Sequence, residues 1–375
     1  MAGGWNMHED DLVINRNAVI TEGGDKVELI LNERRVSVAV SGKMYQLLRK
    51  ITEQGISLKK LHSTENELLK EITSLLYFND ILISQKDDEL LKDGILYNPA
   101  RMQKAALSIP DTRLNQWCFF GAPADFALDP PRSPAHGPYI YRKLGRRHAE
   151  MRDIGDIAYN TTDNIYSFGK KIQHVVRKIK EKDNKTMMFG GDHSLTYFAV
   201  AELSRFIPEI VLIQLDAHSD INTSTDKSNV PLYHANFVSR LVADNAVRTV
   251  IQIGVREKTI RYTENYLNSS SITQFSAEMS RDDKKRLASL IAGKEVYISF
   301  DADVLDPEIF PHVTTPLDKG MSEEVIIDIL SLIKNSCFSV EGADIMEFTC
   351  GFDKKGNPFN HEMPLLDKII SLIIS

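Results

Sequence analysis

Cysteine, long apolar runs and surplus positive charge are what this 375-residue chain has little of. Its three cysteines, Cys118, Cys337 and Cys350, show no paired spacing. That excludes a disulfide framework and leads us to expect a reducing, cytoplasmic location. Cys118 and Cys337 lie near apolar runs and read as core thiols, whereas Cys350 follows Glu347 closely enough to line a site there. Apolar runs such as Val211 to Leu215 are far too short to span a bilayer. The first residues lack a basic region followed by an apolar stretch, so neither a secretory signal nor a membrane partner is expected. With 45 Lys and Arg against 52 Asp and Glu, the formal net charge is −7, which argues against broad nucleic-acid binding. There is no internal repeat, and 42% hydrophobic with 26% charged residues is ordinary for a soluble globular chain.

Against that background three short stretches stand out: Gly190-Gly191-Asp192-His193-Ser194, Asp216-Ala217-His218-Ser219-Asp220 and Asp301-Ala302-Asp303. Each ends an apolar run (Met187 to Phe189, Val211 to Leu215 and Val296 to Phe300) of the kind that forms buried parallel strands. α/β proteins build their sites at the carboxyl ends of such strands. One Asp-x-Asp alone is usually a loop or cap. Three stretches, each behind a strand, instead suit a metal pair held by His193, Asp216, His218, Asp220, Asp301 and Asp303. Four carboxylates without countercharge would raise one another's pKa, and two divalent cations remove that conflict. Oxygen-rich ligands with two imidazoles and no thiolate favour two Mn²⁺ per subunit over Zn²⁺, Fe²⁺, Co²⁺ or Ni²⁺. If the backbone is extended, alternation points Asp216, His218 and Asp220 one way, and Asp301 with Asp303 likewise.

These motifs resemble those of the arginase, agmatinase and formimidoylglutamase family of ureohydrolases, from about Trp117 to the C-terminus. Gly121-Ala122-Pro123 resembles the family's opening strand and turn. Gly137-Pro138 with Arg142 resembles the start of its next helix, and Asp153-Ile154-Gly155-Asp156 its second strand end. Ser299 to Pro307 matches the third metal motif. The resemblance implies a three-layer α/β/α fold around a central parallel sheet, over about 110–375. It implies one metal on His193, Asp216, Asp220 and Asp301, and the other on Asp216, His218, Asp301 and Asp303. Water activated between the metals would attack an amidine-type carbon, and the expelled amine would need a proton. Glu347 resembles the family glutamate that pairs with the guanidinium, and His234 its proton-shuttle histidine. Otherwise Glu347 would be a capping or surface residue and His234 a loop residue.

Departures from the family pattern bear on substrate. Free-arginine members read the substrate's α-carboxylate and α-amino group with polar residues after the second metal motif and an acidic residue in a later loop. Asp220-Ile221-Asn222-Thr223 keeps the arginase-like start, so Asn222 is a candidate substrate reader. Ser228 to Ala235 carries Pro231, Leu232, Tyr233 and an apparent one-residue insertion where arginases have a Ser-Gly-Asn-type turn and a His-Gly pair. In Gly254-Val255-Arg256-Glu257-Lys258-Thr259, Lys258 or Thr259 stands where an Asp is expected, and a lysine would repel an α-ammonium. His312-Val313-Thr314-Thr315-Pro316 replaces Gly-Thr-Gly-Thr-Pro. Asp344-Ile345-Met346-Glu347 favours arginase over agmatinase. An arginine inside a peptide would fit a guanidinium end that is kept and an amino-acid end that is rebuilt.

The first ten residues read as disordered or appended. Residues 11–100 have no counterpart in ordinary ureohydrolases. Val27 to Leu31 and Val36 to Val40 read as strands, with Asn32-Glu33-Arg34-Arg35 as their turn. Ser41 then caps a helix bearing Tyr45, Leu47, Leu48 and Ile51. A second amphipathic stretch spans Glu65 to Leu75, a strand returns within Asn79 to Ser84, and Lys86 to Gly94 reads as a linker helix ending at Asn98-Pro99. The pattern predicts a small α+β, winged-helix-like domain. It weakly resembles modules that add a peptide strand to a sheet edge in enzymes of ribosomal-peptide maturation. The expected function is therefore a two-manganese hydrolase converting peptidyl arginine to ornithine with release of urea. A free small molecule (arginine, agmatine, guanidine or formimidoylglutamate) is the alternative substrate. An inactive peptide-binding scaffold is the alternative of another class. The sequence leaves homo-oligomerisation open.

Overall fold

The computed structural model describes residues 116–126, 133–159, 162–222, 231–257, 271–352 and 361–375, together with strands at 11–14, 18–23, 26–31, 34–39, 56–57, 82–84, 96–97 and 358–359. The chain divides into two compact units, 1–108 and 109–375.

The larger unit is built on eight parallel strands: β1 (Trp117–Ala122), β2 (Met151–Ile157), β3 (Lys185–Gly190), β4 (Val211–Leu215), β5 (Thr249–Ile253), β6 (Ile272–Phe275), β7 (Glu295–Asp301) and β8 (Ser339–Met346). They lie side by side as β6-β5-β4-β7-β8-β3-β1-β2, every pairing parallel. Among the described residues seven helices flank them: α1 (Gly137–Leu144), α2 (Ile165–Lys180), α3 (Thr196–Leu203), α4 (Phe237–Ala243), α5 (Arg281–Ile291), α6 (Glu323–Ser336) and α7 (Met363–Ile374). This is the expected α/β/α architecture.

Strand side chains alternate between the two faces, and both faces of the sheet are covered. Phe119, Phe189, Ile213, Ile251, Ile298 and Ile345 on one face join a single buried cluster with α5, α6 and α7. Their alternates, such as Phe120, Met188, Leu212 and Val250, are buried too. The run of buried apolar residues marks these strands in the sequence, with no polar/apolar alternation to show. Gly121 permits one close approach, because a Cβ there would fall on the Asp156 carboxyl group. Asp156 and Asp153 both accept hydrogen bonds from the buried Arg142 guanidinium, tying α1 to β2. Among the described residues no helix is long and apolar enough to cross a membrane.

In the unit 1–108, Ala18–Gly23, Lys26–Leu31 and Arg34–Ala39 form an antiparallel meander. Arg34 and Arg35, expected in the turn between the last two of these strands, pair instead with Leu31 and Ile30. Asp11–Ile14 lies between Ile56–Ser57 and Leu82–Ser84 in a second antiparallel sheet. The helices expected after Ser41, over 65–75 and over 86–94 lie outside the described residues.

Candidate metal centre and active site

Four adjacent strands, β4, β7, β8 and β3, deliver the candidate residues from their carboxyl ends. His193 opens a short 3-10 turn just after β3. Asp216, His218 and Asp220 follow β4, and Asp301 ends β7. Asp303 sits in the 3-10 turn Ala302–Val304, and Glu347 follows β8.

These residues do not converge through an extended backbone. β4 stops at Leu215, and Asp220 has left-handed backbone with φ 50°. Tight turns bring the ligands together instead. Asp216 Oδ1 accepts from the His218 N–H at 2.7 Å, and Asp301 Oδ1 from the Asp303 N–H at 2.8 Å. Each aspartate thus caps its own turn with one oxygen and turns Oδ2 toward the centre.

The imidazoles show what those oxygens surround. His193 Nδ1 lies 3.1 Å from Asp216 Oδ2, 3.3 Å from Asp220 Oδ2 and 3.0 Å from Asp301 Oδ2. It is buried and has no hydrogen-bond partner. On the far side of the ring, His193 Nε2 is 2.8 Å from Ser299 Oγ, which donates to Asp344 Oδ1 at 2.7 Å. Asp344 also accepts from Thr196 and Tyr297 hydroxyls, each at 2.8 Å. With the Ser299 proton committed to Asp344, the imidazole proton belongs on Nε2, and the Nδ1 lone pair faces three carboxylate oxygens. A cation resolves that arrangement. His218 Nδ1 lies 2.9 Å from Asp303 Oδ2 and 3.6 Å from Asp216 Oδ1. Two ligand groups result, His193/Asp216/Asp220 and Asp216/His218/Asp303, each with its ligand atoms within 4.8 Å of one another. Asp216 belongs to both. The donor set suits two hard divalent cations.

The electrostatics agree. Burial first, then neighbouring carboxylates, push the Asp220, Asp301 and Asp303 acids upward. Burial also disfavours charge on Asp216, but His193 and His218 outweigh it and hold that carboxyl low. Burial would lower both histidines; instead Asp216 and Asp301 raise His193, and Asp216 and Asp303 raise His218 to about 12. Left to itself, the cluster balances its negative charge by binding protons, a task divalent cations perform without them.

The cluster opens on a cleft of about 100 Å³. Its carboxylates are Asp220, Glu257, Asp301, Asp303 and Glu347, and among the described residues no Lys or Arg lines it. Glu347 is buried, with left-handed backbone at φ 59°. Its Oε1 accepts from the His193 N–H at 2.7 Å, and its Oε2 from Thr314 Oγ1 at 2.5 Å. Burial, then the Asp192 charge, push it up to about 8. His234 and Asn222 line the same cleft. His234 Nδ1 is buried without a partner, and burial lowers its pKa.

Two readings need correction. Cys350 does not line the cleft; it packs half-buried against the hydrophobic core. The later loop does present an acid: Glu257 faces the cleft, where its Oε1 accepts from the Ser219 N–H at 2.7 Å. Lys258 and Thr259, read as the replacements for that acid, lie outside the described residues, as does 223–230. Sequence reasoning also missed Ser299, Asp344 and Thr314. The usable signal for the first two was a polar residue inside an apolar strand run, since such a residue needs a buried partner.

Comparison with known proteins places this geometry. The Arginase family model matches residues 115–362. The chain is 26% identical over 299 residues to the agmatinase of Blochmanniella floridana, covering 72% of this chain and 91% of that protein. It is 29% identical over 218 residues to the human mitochondrial guanidino acid hydrolase, covering 55% of this chain and 60% of that protein. Among solved structures, the arginase of Bacillus subtilis superposes with a TM-score of 0.57 at 20% identity, covering 69% of this chain and 98% of that one.

Proposed function

The chain belongs to the Arginase family of metal-dependent ureohydrolases, and on that premise we propose that it hydrolyses the guanidino group of a free small molecule at a two-Mn²⁺ centre, releasing urea. The observation that carries this reading is the pair of ligand groups sharing Asp216, with the Glu347 carboxylate in the same cleft. In this assignment His193, Asp216, Asp220 and Asp301 hold one cation, and Asp216, His218, Asp301 and Asp303 hold the other. Bound there, the cations supply Lewis acidity and a water that ionises near neutral pH.

The protein's own groups do the rest. Glu347 has both oxygens oriented by donors, so it can receive a guanidinium in two-point geometry and fix the carbon to be attacked. A bound guanidinium also favours the ionised carboxylate that burial opposes. His234, which burial favours as the neutral imidazole, is the group in the cleft suited to take the proton that the attacking water gives up and hand it to the departing amine. Asn222 and Glu257 stand ready for the substrate's other end. A free substrate is favoured over the peptidyl arginine expected from the sequence because the named relatives act on small molecules, agmatine and guanidino acids. The peptide reading is supported by one observation of its own, the two small antiparallel sheets of the unit 1–108, whose edges could accept an added strand.

The test is release of urea, or of formamide from formimidoylglutamate, by Mn²⁺-loaded protein. Agmatine, arginine, guanidino acids and formimidoylglutamate are compared with an arginine in an N-acetylated, C-amidated peptide. Turnover of a free compound alone supports the main reading. Turnover of the blocked peptide alone overturns it in favour of the second.

A further inference from the structure

Three glutamines form a hydrogen-bonded chain through the sheet that ends on the metal ligands. Gln214, Gln252 and Gln274 stand at one register on the adjacent strands β4, β5 and β6. Gln274 Nε2 donates to Gln252 Oε1 at 2.8 Å, and Gln252 Nε2 donates to Gln214 Oε1 at 2.6 Å. Gln214 Nε2 then donates to Asp216 Oδ2 at 2.6 Å and to Asp220 Oδ2 at 3.0 Å. Gln252 spends its second N–H on the Ser219 carbonyl at 2.5 Å. Gln214 and Gln252 are fully buried, in strands whose other residues, Thr249 apart, are apolar.

The direction of the chain is fixed from its ends. Ionised carboxylates and a backbone carbonyl only accept, so Gln214 must turn its amide nitrogen toward Asp216 and Asp220 and its oxygen toward Gln252. Gln252 must then present its nitrogen to both Gln214 and the Ser219 carbonyl. Core packing explains none of this, because three apolar residues would fill the same space without obliging any partner. The chain also serves one half of the centre. Its donors reach Asp216 and Asp220, whereas Asp303 Oδ1 and Asp216 Oδ1 accept from backbone N–H groups, those of Ala217 and His218.

We propose that Gln214, Gln252 and Gln274 are positioning residues for the His193/Asp216/Asp220 metal site, holding its two carboxylates in the binding orientation and so setting that site's affinity apart from its neighbour's. The inference rests on the two-metal reading above. Hydrogen bonds of this outer kind commonly contribute about 10- to 100-fold in metal affinity.

The experiment is calorimetric titration of the metal-stripped full chain with Mn²⁺, alongside its melting temperature. The variants are Gln252→Leu, Gln252→Glu and the half-buried Gln274→Leu. Gln252→Glu keeps the shape but cannot donate when ionised, so Gln214 must turn its oxygen toward the aspartates or lose its partner. The expected result is two Mn²⁺ per wild-type chain. The His193/Asp216/Asp220 site should weaken about 10- to 100-fold in both Gln252 variants and less in Gln274→Leu, and the second site, which shares Asp216, by a clearly smaller factor. Repeating Gln252→Glu in a His218→Ala background, which removes the other site, should show the same loss. Wild-type affinities at both sites in all three variants would overturn the proposal while leaving the metal reading intact. So would equal weakening of both sites in step with melting temperature. A wild-type chain that binds no Mn²⁺ would overturn both.

Discussion

His193 and His218 both present Nδ1 to the same group of carboxylates, yet they are held by different means. His193 is buried, its ring 4.5 Å from that of Phe237, and its second nitrogen is fixed through Ser299 to Asp344. Its partner aspartates meet the amide nitrogen of Gln214. His218 is partly exposed, and the turns around it are closed by backbone N–H groups from Ala217 and His218 itself. The inner half of the centre is therefore braced by side chains from strands β4 to β8, and the outer half by local turn geometry. Side-chain bracing persists only while the core is intact; turn geometry survives small local changes. The inner site is expected to bind more tightly and to depend more on folding.

The largest expected effect erases that contrast. Asp216→Ala removes a ligand common to both groups, so urea release should fall to background and metal content, read by elemental analysis, should drop at both sites. His193→Ala against His218→Ala sharpens it. The inner substitution leaves a cavity against Phe237 and should lower the stability of the metal-stripped protein by about 2–4 kcal/mol. The outer one should leave stability nearly unchanged, a difference that denaturant melts would resolve. Glu347→Gln lies outside the contrast: it should spare both metals yet lower kcat/KM by about 30- to 3000-fold, equivalent to about 2–5 kcal/mol, because the guanidinium loses a buried charged partner. Equal metal affinity with unchanged kcat/KM would remove Glu347 from substrate binding. Ser299→Ala should weaken the inner site alone, by about tenfold or more. The smallest change is Asn222→Ala, expected to raise KM about fivefold, equivalent to about 1 kcal/mol, with kcat preserved.

Much of this was legible in the chain. Met187-Met188-Phe189, Val211 to Leu215 and Val296 to Phe300 are apolar on both faces, which marks buried parallel strands, and the acidic and histidine motifs follow them directly. The candidate ligands could be named without geometry. Their convergence did: a left-handed Asp220 and a 3-10 turn at Asp303 carry no mark in residue type. Nor did the sequence single out Glu257 as the residue of its loop that faces the cleft, because the direction of a loop side chain is set by the backbone. The glutamines were visible as polar intruders in Ile213-Gln214-Leu215 and Ile251-Gln252-Ile253. Their pairing depends on strand order, and β4 and β5 are separated in the chain by a helix and a loop.

The left-handed backbone at Asp220 and Glu347 has a bearing on any attempt to improve this protein. Glycine adopts that conformation without the clash a Cβ brings, so Asp220→Gly and Glu347→Gly would each relieve about 1 kcal/mol of conformational strain. A redesign that scored folding alone would accept both exchanges, along with apolar replacements for the buried glutamines. Its product would be a sturdier barrier to unfolding with nothing left to bind metal or guanidine, and those same positions are where selection for heat resistance and selection for turnover should pull apart.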